Sequence, residues 1–227
     1  MNITIVIPFY NEEKNLKVLI PQLIKSLSKI KKNKFEVILV DDCSTDKSNY
    51  FAKSLIKNSN KTKFKIIKLT KRSGQTGAFK KAFKVAKGKF IIRMDADLQD
   101  NPNDIIKFVT QINIGSDLVI GKRNNRSHSF ILIFCSSLYN FFMRLIFTSG
   151  IKTYSSSFVA FNKKYLNKLP WYNNDHRYLP AITVERGAKK ASEIIVQHKK
   201  RKYGVSRYNA FKKITLGFPE IILFLIR

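Results

Sequence analysis

An α/β fold built on a largely parallel sheet is what this sequence predicts, and three observations predict it. Short apolar, β-like runs recur at Ile3–Ile7, Phe35–Val40, Phe64–Leu69, Phe90–Met94 and Leu118–Ile120. Stretches of helical period separate the first four. The first, second and fourth runs each stop at a polar, acid-bearing cluster. Strands alternating with helices of this length imply a parallel sheet covered on both faces.

Each element has its own signal. After the first strand, Asn15–Ile30 carries Leu16, Leu19, Ile20, Leu23, Ile24 and Leu27, a spacing that puts them on one helical face. The second helix spans about Lys47 to Lys57, with Phe51, Leu55 and Ile56, and Asp46 before it suits a helix cap. The third, Ala78–Ala86, stops at Gly88, a fitting terminator. The fourth strand runs into Met94-Asp95-Ala96-Asp97-Leu98-Gln99-Asp100-Asn101-Pro102, where Pro102 suits the first turn of the next helix.

The pattern changes after residue 121. His128–Phe147 is mostly apolar, yet Ser129, Ser136, Asn140 and Arg144 fall on one helical face. Its longest unbroken apolar run, Phe130 to Cys135, is too short for a bilayer that needs ~20 residues. A narrow polar stripe flanked by Lys122, Arg123, Arg126 and Lys152 suits an amphipathic helix at a membrane interface, where each basic residue near anionic headgroups contributes ~1 kcal/mol. The alternative is a buried helix under a lid. A second apolar stub, Ile221–Ile226, rests on a membrane or begins a span that this chain does not complete.

With 227 residues, 44% hydrophobic and 12% aromatic, the chain can bury one substantial core and is not disordered. Its charge is the outlier: 43 Lys+Arg against 15 Asp+Glu give +28. Such a chain seeks a polyanion, with a phosphate-rich membrane or nucleic acid as the obvious partners. Cys43 and Cys135 form no C-x-x-C, and His128, His176 and His198 have no zinc spacing, so a reduced intracellular protein without structural metal is expected. Met1 runs directly into a strand, and no signal peptide is expected.

Two carboxylates one residue apart at a strand end, Asp95 and Asp97, can share a divalent cation, because hard ions want oxygen ligands and Mg²⁺ is often held by carboxylates plus substrate phosphates. The carboxyl end of a strand is also where open α/β sheets bind ligands. The same acids can equally cap the following helix. The first strand ends in Pro8-Phe9-Tyr10-Asn11-Glu12-Glu13, without the glycine-rich loop that a dinucleotide or ATP would require. The second ends in Val40-Asp41-Asp42-Cys43-Ser44-Thr45-Asp46, whose acids suit ribose hydroxyls or base N–H groups.

Together with Ser73-Gly74-Gln75-Thr76-Gly77-Ala78, His176-Arg177-Tyr178-Leu179-Pro180-Ala181 and His198-Lys199-Lys200-Arg201-Lys202-Tyr203-Gly204-Val205-Ser206-Arg207-Tyr208, these segments resemble glycosyltransferase family 2, over about residues 2 to 209. Within it the chain is most similar to the polyprenyl-phosphate hexosyltransferases of the dolichol-phosphate mannosyltransferase group. The resemblance implies a GT-A (Rossmann-like) mixed, mainly parallel sheet over 1–209, with an apolar segment at 210–227. It implies inverting transfer of a hexose from a GDP- or UDP-sugar to dolichyl or undecaprenyl phosphate, by a peripheral or monotopic enzyme on the anionic cytoplasmic membrane face. Carried over by position, Pro8, Tyr10, Glu12, Val40 and Asp42 hold the nucleoside; Asp95, Ala96, Asp97 and Gln99 lie against the donor, with Asp95, Asp97 and Gln99 holding Mg²⁺ or Mn²⁺.

Arg123, Arg201 and Arg207 then meet the phosphates, and with Asp97 they form the expected catalytic set; a planar guanidinium binds phosphate in two-pronged fashion. A lipid phosphate is already anionic at pH 7, so positioning and cationic clamping can replace the general base that a hydroxyl acceptor needs. His176 reads as a base, a cap or packing beside Arg177. The chain departs from relatives at Thr153-Tyr154-Ser155-Ser156-Ser157-Phe158, where Tyr154 stands for an acid, and the C-terminal membrane hairpin into which many relatives continue is not expected here. Rival readings are a family 2 enzyme extending lipopolysaccharide or another polysaccharide, an inactive scaffold, and a basic nucleic-acid module. The last is disfavoured because no RNA- or DNA-binding motif is present.

Overall fold

The computed structural model describes residues 2–57, 59, 62–123, 130–147 and 150–203, with backbone alone at 130–136. The strands are β1 (Asn2–Phe9), β2 (Lys34–Asp41), β3 (Lys63–Lys68), β4 (Phe90–Arg93), β5 (Leu118–Arg123), β6 (Val159–Asn162) and β7 (Ala191–Val196). Among the described residues they form one sheet of order β3-β2-β1-β4-β6-β5-β7. Only β6 runs against its neighbours: β1 is parallel to β2 and β4, β2 to β3, and β5 to β7, whereas β6 is antiparallel to both β4 and β5. The other six strands therefore deliver their carboxyl ends to one edge. The expected mixed, mainly parallel sheet is what forms.

Alternation along β1 explains the layers. Ile3, Ile5, Ile7 and Phe9 point into a core with Leu16, Leu19, Ile20 and Leu23 of α1 (Glu13–Ser28) and Phe108 of α4 (Ile105–Asn113). Val6, Ile38 and Val40 point the other way, against Phe79 and Phe83 of α3 (Gly74–Val85) and Leu179 of α6 (Leu179–Glu185). The two remaining helices are α2 (Ser48–Ile56) and α5 (Phe130–Ile146). Lys63, Lys65 and Lys68 are exposed on β3, where charge guards an edge strand against pairing with another chain.

Two sequence expectations change. α3 ends at Val85, before Gly88, and Gly88 serves another purpose. Its amide donates to Thr4 Oγ1 at 2.9 Å, and a Cβ there would lie 2.7 Å from the same oxygen, so only glycine lets this loop lie on β1. The polar stripe of α5 also turns partly inward. Asn140 is buried, and its Oδ1 accepts from the backbone N–H groups of Tyr154 (2.8 Å) and Ser155 (3.2 Å). The buried side of the helix carries Asn140 and Met143, while Phe141, Leu145 and Ile146 are exposed. Packing satisfied the amide inside and left an apolar face outside.

Candidate functional site

The loop after β1 is shaped by its neighbour after β2. Asn11 adopts φ 54°, a left-handed conformation that asparagine tolerates, and its Oδ1 accepts from Thr45 N at 2.8 Å. Glu12 N donates to Ser48 Oγ at 2.8 Å, and the Glu12 carboxylate accepts from Asn15 Nδ2. Asp41 is occupied structurally, accepting from Ser44 N (2.7 Å) and Asn49 Nδ2 (2.9 Å). Asp46 lies just before Lys47, the residue that caps α2, and accepts from Ser48 N at 2.9 Å and Glu13 N at 3.3 Å, so it ties the starts of α2 and α1 together.

Asp42 reaches across instead. Its oxygens accept from Ser73 N (2.7 Å) and Gly74 N (3.0 Å), which fixes the start of α3 beside the β1 loop. Gly74, at φ 66°, makes that entry turn. Arg72 stacks over the Tyr10 ring, 3.7 Å from its centroid, with Nε 3.7 Å from Asp42 Oδ2. Tyr10, Asp42 and Arg72 thus line one notch. Pro8 and Val40, paired across β1 and β2, have buried side chains, so only their main chain is available at this edge.

The next turn of α3 leads to the acidic loop. Gln75 Nε2 donates to Asp95 Oδ1 at 3.4 Å, and the buried Arg93 sends Nη2 to Gln75 Oε1 (3.1 Å) and to Asp95 Oδ1 (3.5 Å). Arg93 Nη1 donates to His176 O at 2.6 Å. Ala96 is buried in the core, and Leu98 takes φ 63°, a conformation that costs a non-glycine residue about 1–3 kcal/mol and is held here by the surrounding contacts. That kink brings Gln99 N to Asp97 Oδ1 at 3.2 Å.

Opposite this loop lies a strap, residues 197–201, closed onto it by several contacts. Lys199 N donates to Gln99 O at 2.9 Å, Asn101 Nδ2 to Gln197 Oε1 at 2.8 Å, and Gln197 N to Asp104 Oδ2 at 2.7 Å. The strap carries Arg201, whose Nη2 donates to Asp97 Oδ2 at 2.8 Å. Burial pushes the Asp100 carboxyl above the usual range, and the neighbouring His198 side chain counters it. Arg123, at the end of β5, donates from Nη2 to Ser157 Oγ at 3.2 Å.

The structure therefore brings Asp95, Asp97, Gln99 and Arg201 together and sets Tyr10 with Asp42, with the start of α3 bridging the two groups. Arg207 and the segment 204–227 lie outside the described residues. Among the described residues no cluster of three or more His, Cys, Asp or Glu forms a ready-made metal site. The donors present, two carboxylates and an amide, are hard oxygens that suit Mg²⁺ or Mn²⁺ shared with substrate phosphate. Asp97 already faces a cation, the Arg201 guanidinium, and so the residues fit such an ion.

Sequence reasoning missed Arg72 and Arg93. A charged residue closing the apolar run Phe90-Ile91-Ile92 was the available signal for Arg93. Tyr154, in the place of an acid, is fully buried against Phe147 and belongs to the core.

His176 is buried, with Nδ1 2.7 Å from Thr76 Oγ1. Burial first, then the Arg93 and Arg177 charges, lower its pKa to about 2 from an ordinary 6.5. The unfolded chain therefore binds a proton below pH 6.5 that the folded chain does not, and stability is lost as pH falls from about 6.5. The slope approaches about 1.4 kcal/mol per pH unit. Urea midpoints from pH 7 to pH 4 are expected to fall less steeply for His176→Asn than for the unmodified chain; equal slopes would refute this.

A mainly parallel sheet with one reversed strand, presenting an acidic loop beside a notch at its carboxyl edge, is the architecture of the GT-A glycosyltransferases. Solved structures agree on the fold. Staphylococcus aureus TarS 1–349 in complex with UDP-GlcNAc superposes with TM-score 0.65 at 23% identity, over 92% of this chain and 62% of that one. Glucosyl-3-phosphoglycerate synthase of Mycobacterium tuberculosis, in complex with Mn²⁺, UDP and glucosyl-3-phosphoglycerate, gives TM-score 0.67 at 17% identity, over 90% and 73%. The chain belongs to glycosyl transferase family 2, whose sequence model matches residues 4–170. Among curated relatives, the undecaprenyl-phosphate 4-deoxy-4-formamido-L-arabinose transferase of Pectobacterium atrosepticum is 32% identical over 217 residues, 96% of this chain. The chain spans 65% of that relative's length, just under two thirds.

Proposed function

We propose that this protein transfers a sugar from a nucleoside diphosphate donor to a polyprenyl phosphate, with Mg²⁺ or Mn²⁺ at Asp95, Asp97 and Gln99. The observation that carries this reading is Arg201 at 2.8 Å from Asp97, a phosphate-type cation held over the acidic loop. The named activity of the Pectobacterium relative supports a polyprenyl phosphate acceptor. The glycosyltransferase unit is assigned to residues 1–209, with 210–227 as an apolar extension.

In this proposal Tyr10, Asp42 and Arg72 hold the nucleoside, with Glu12 and the main chain of Pro8 and Val40 shaping the floor. Bound metal would neutralise charge on the departing nucleoside diphosphate. A lipid phosphate oxygen attacks the anomeric carbon as the bond from that carbon to the diphosphate oxygen breaks, and configuration inverts. Arg123, Arg201 and Arg207 clamp the phosphates. No base has to remove a proton, in keeping with a His176 that is buried and neutral. The test incubates the protein and Mn²⁺ with labelled GDP- and UDP-sugars, hexoses and an arabinose derivative among them, and polyprenyl phosphate. Label is expected in the organic phase; none with any donor would refute the proposal.

The outward apolar face of α5 supports peripheral attachment to a membrane; the charge of +28 favours an anionic one, and the cytoplasmic side is part of this proposal. No helix among the described residues is long and apolar enough to cross a membrane. Phe141 and Leu145 are 48% and 65% exposed. Burying each is worth about 1.5 kcal/mol or more, so changing both to Ser is expected to weaken liposome binding about a hundredfold. Flotation should also weaken in salt. Retention that resists both salt and carbonate would point to insertion instead.

A further inference from the structure

Asp100 and His198 meet where the strap crosses the acidic loop. Their backbones form an antiparallel bridge, and Asp100 is 2% exposed. Among the described residues neither carboxylate oxygen of Asp100 has a partner within hydrogen-bond geometry, a costly condition for a buried acid, and His198 Nδ1 lies 3.5 Å from Oδ1. The other ring nitrogen, Nε2, lies 3.4 Å from Gln99 Nε2. With hydrogen on Nδ1 facing the acid, Nε2 offers a lone pair, and the Gln99 amide donates to it. The same amide nitrogen donates to Lys199 O at 3.3 Å. Both contacts hold Gln99 by its nitrogen end. Its oxygen, Oε1, is then the end turned away from the strap, on the loop that carries Asp97.

We propose that Asp100 and His198 are positioning residues that lock the Gln99 side-chain amide with Oε1 presented to the cation. This rests on the donor-site reading above. An amide that rotates freely presents its NH₂ end as often as its oxygen, and NH₂ is no ligand for a hard cation. Partners behind metal ligands elsewhere typically change metal affinity by about ten- to a hundredfold. A mere staple for the strap would act differently, because Lys199 N–Gln99 O, Asn101–Gln197 and Gln197–Asp104 close the strap without the imidazole.

The test measures Mn²⁺ affinity by electron paramagnetic resonance on the full chain, with saturating UDP and, in parallel, GDP. His198→Phe keeps the ring and removes both nitrogens, and it is expected to weaken Mn²⁺ binding about tenfold. His198→Gln, whose side-chain oxygen can accept from Gln99, should restore most of the affinity. In a Gln99→Ala background, His198→Phe should cost less than twofold, because the amide it orients is gone. Should His198→Phe fail to fold, as judged by circular dichroism, Asp100→Asn carries the same expectation. Wild-type Mn²⁺ affinity in the variant that folds, or additive losses in the double variant, would overturn the inference while leaving the donor site intact. A wild-type protein that binds Mn²⁺ with neither nucleotide would overturn the donor-site reading and this inference with it.

Discussion

Asp97→Asn is expected to lower sugar transfer by at least about a hundredfold. The substitution keeps the shape of the side chain and its place in the loop, but it removes the charge that faces a cation there. A Lewis-acidic ion contributes several kcal/mol to charge stabilisation, and about 2.7 kcal/mol already equals two decades in rate. The fold should survive, because the asparagine side chain keeps an oxygen in the same place that can still accept from Arg201. Circular dichroism and single-turnover rates, with and without EDTA, check this. Transfer near the wild-type rate in the variant, or in EDTA, would sink the metal-dependent mechanism.

Arg201→Ala is expected to cost one to two decades in rate, the equivalent of a charge-assisted pair of ~1.5–3 kcal/mol. Because Arg201 sits on the strap and touches the acidic loop, its loss should raise the Michaelis constants for donor and lipid acceptor alike. Arg201→Lys should recover only part, since a point charge lacks the planar fork. Arg207→Ala should act mainly on the constant for polyprenyl phosphate. Both constants measured for each variant separate the roles, and unchanged lipid kinetics in Arg207→Ala would remove that residue from the acceptor site.

Local pattern alone determined much of this protein. The apolar runs that became β1, β2, β3 and β4, and the 3–4 spacing that became α1, were legible because a strand or helix facing a core repeats its apolar residues at a fixed local period. The Asp95/Asp97 loop was legible as a carboxylate pair at a strand end for a related reason: its acids lie close together in sequence.

Other features belong to the tertiary structure. The reversed strand β6 is four buried residues, Val159-Ala160-Phe161-Asn162, too short to show a period, and its direction was decided by pairing with β4 and β5. Whether Asn140 faced water or the interior depended on the backbone of Tyr154, in a different segment. Arg93 finds His176 across 83 positions, Gln99 finds His198 across 99, and Arg201 finds Asp97 across 104. Such contacts leave no periodic trace, because they arise only when the sheet closes long loops and brings the carboxyl ends of separate strands to one edge. The sequence by itself determined which residues could do this chemistry; the closed sheet decided which of them meet.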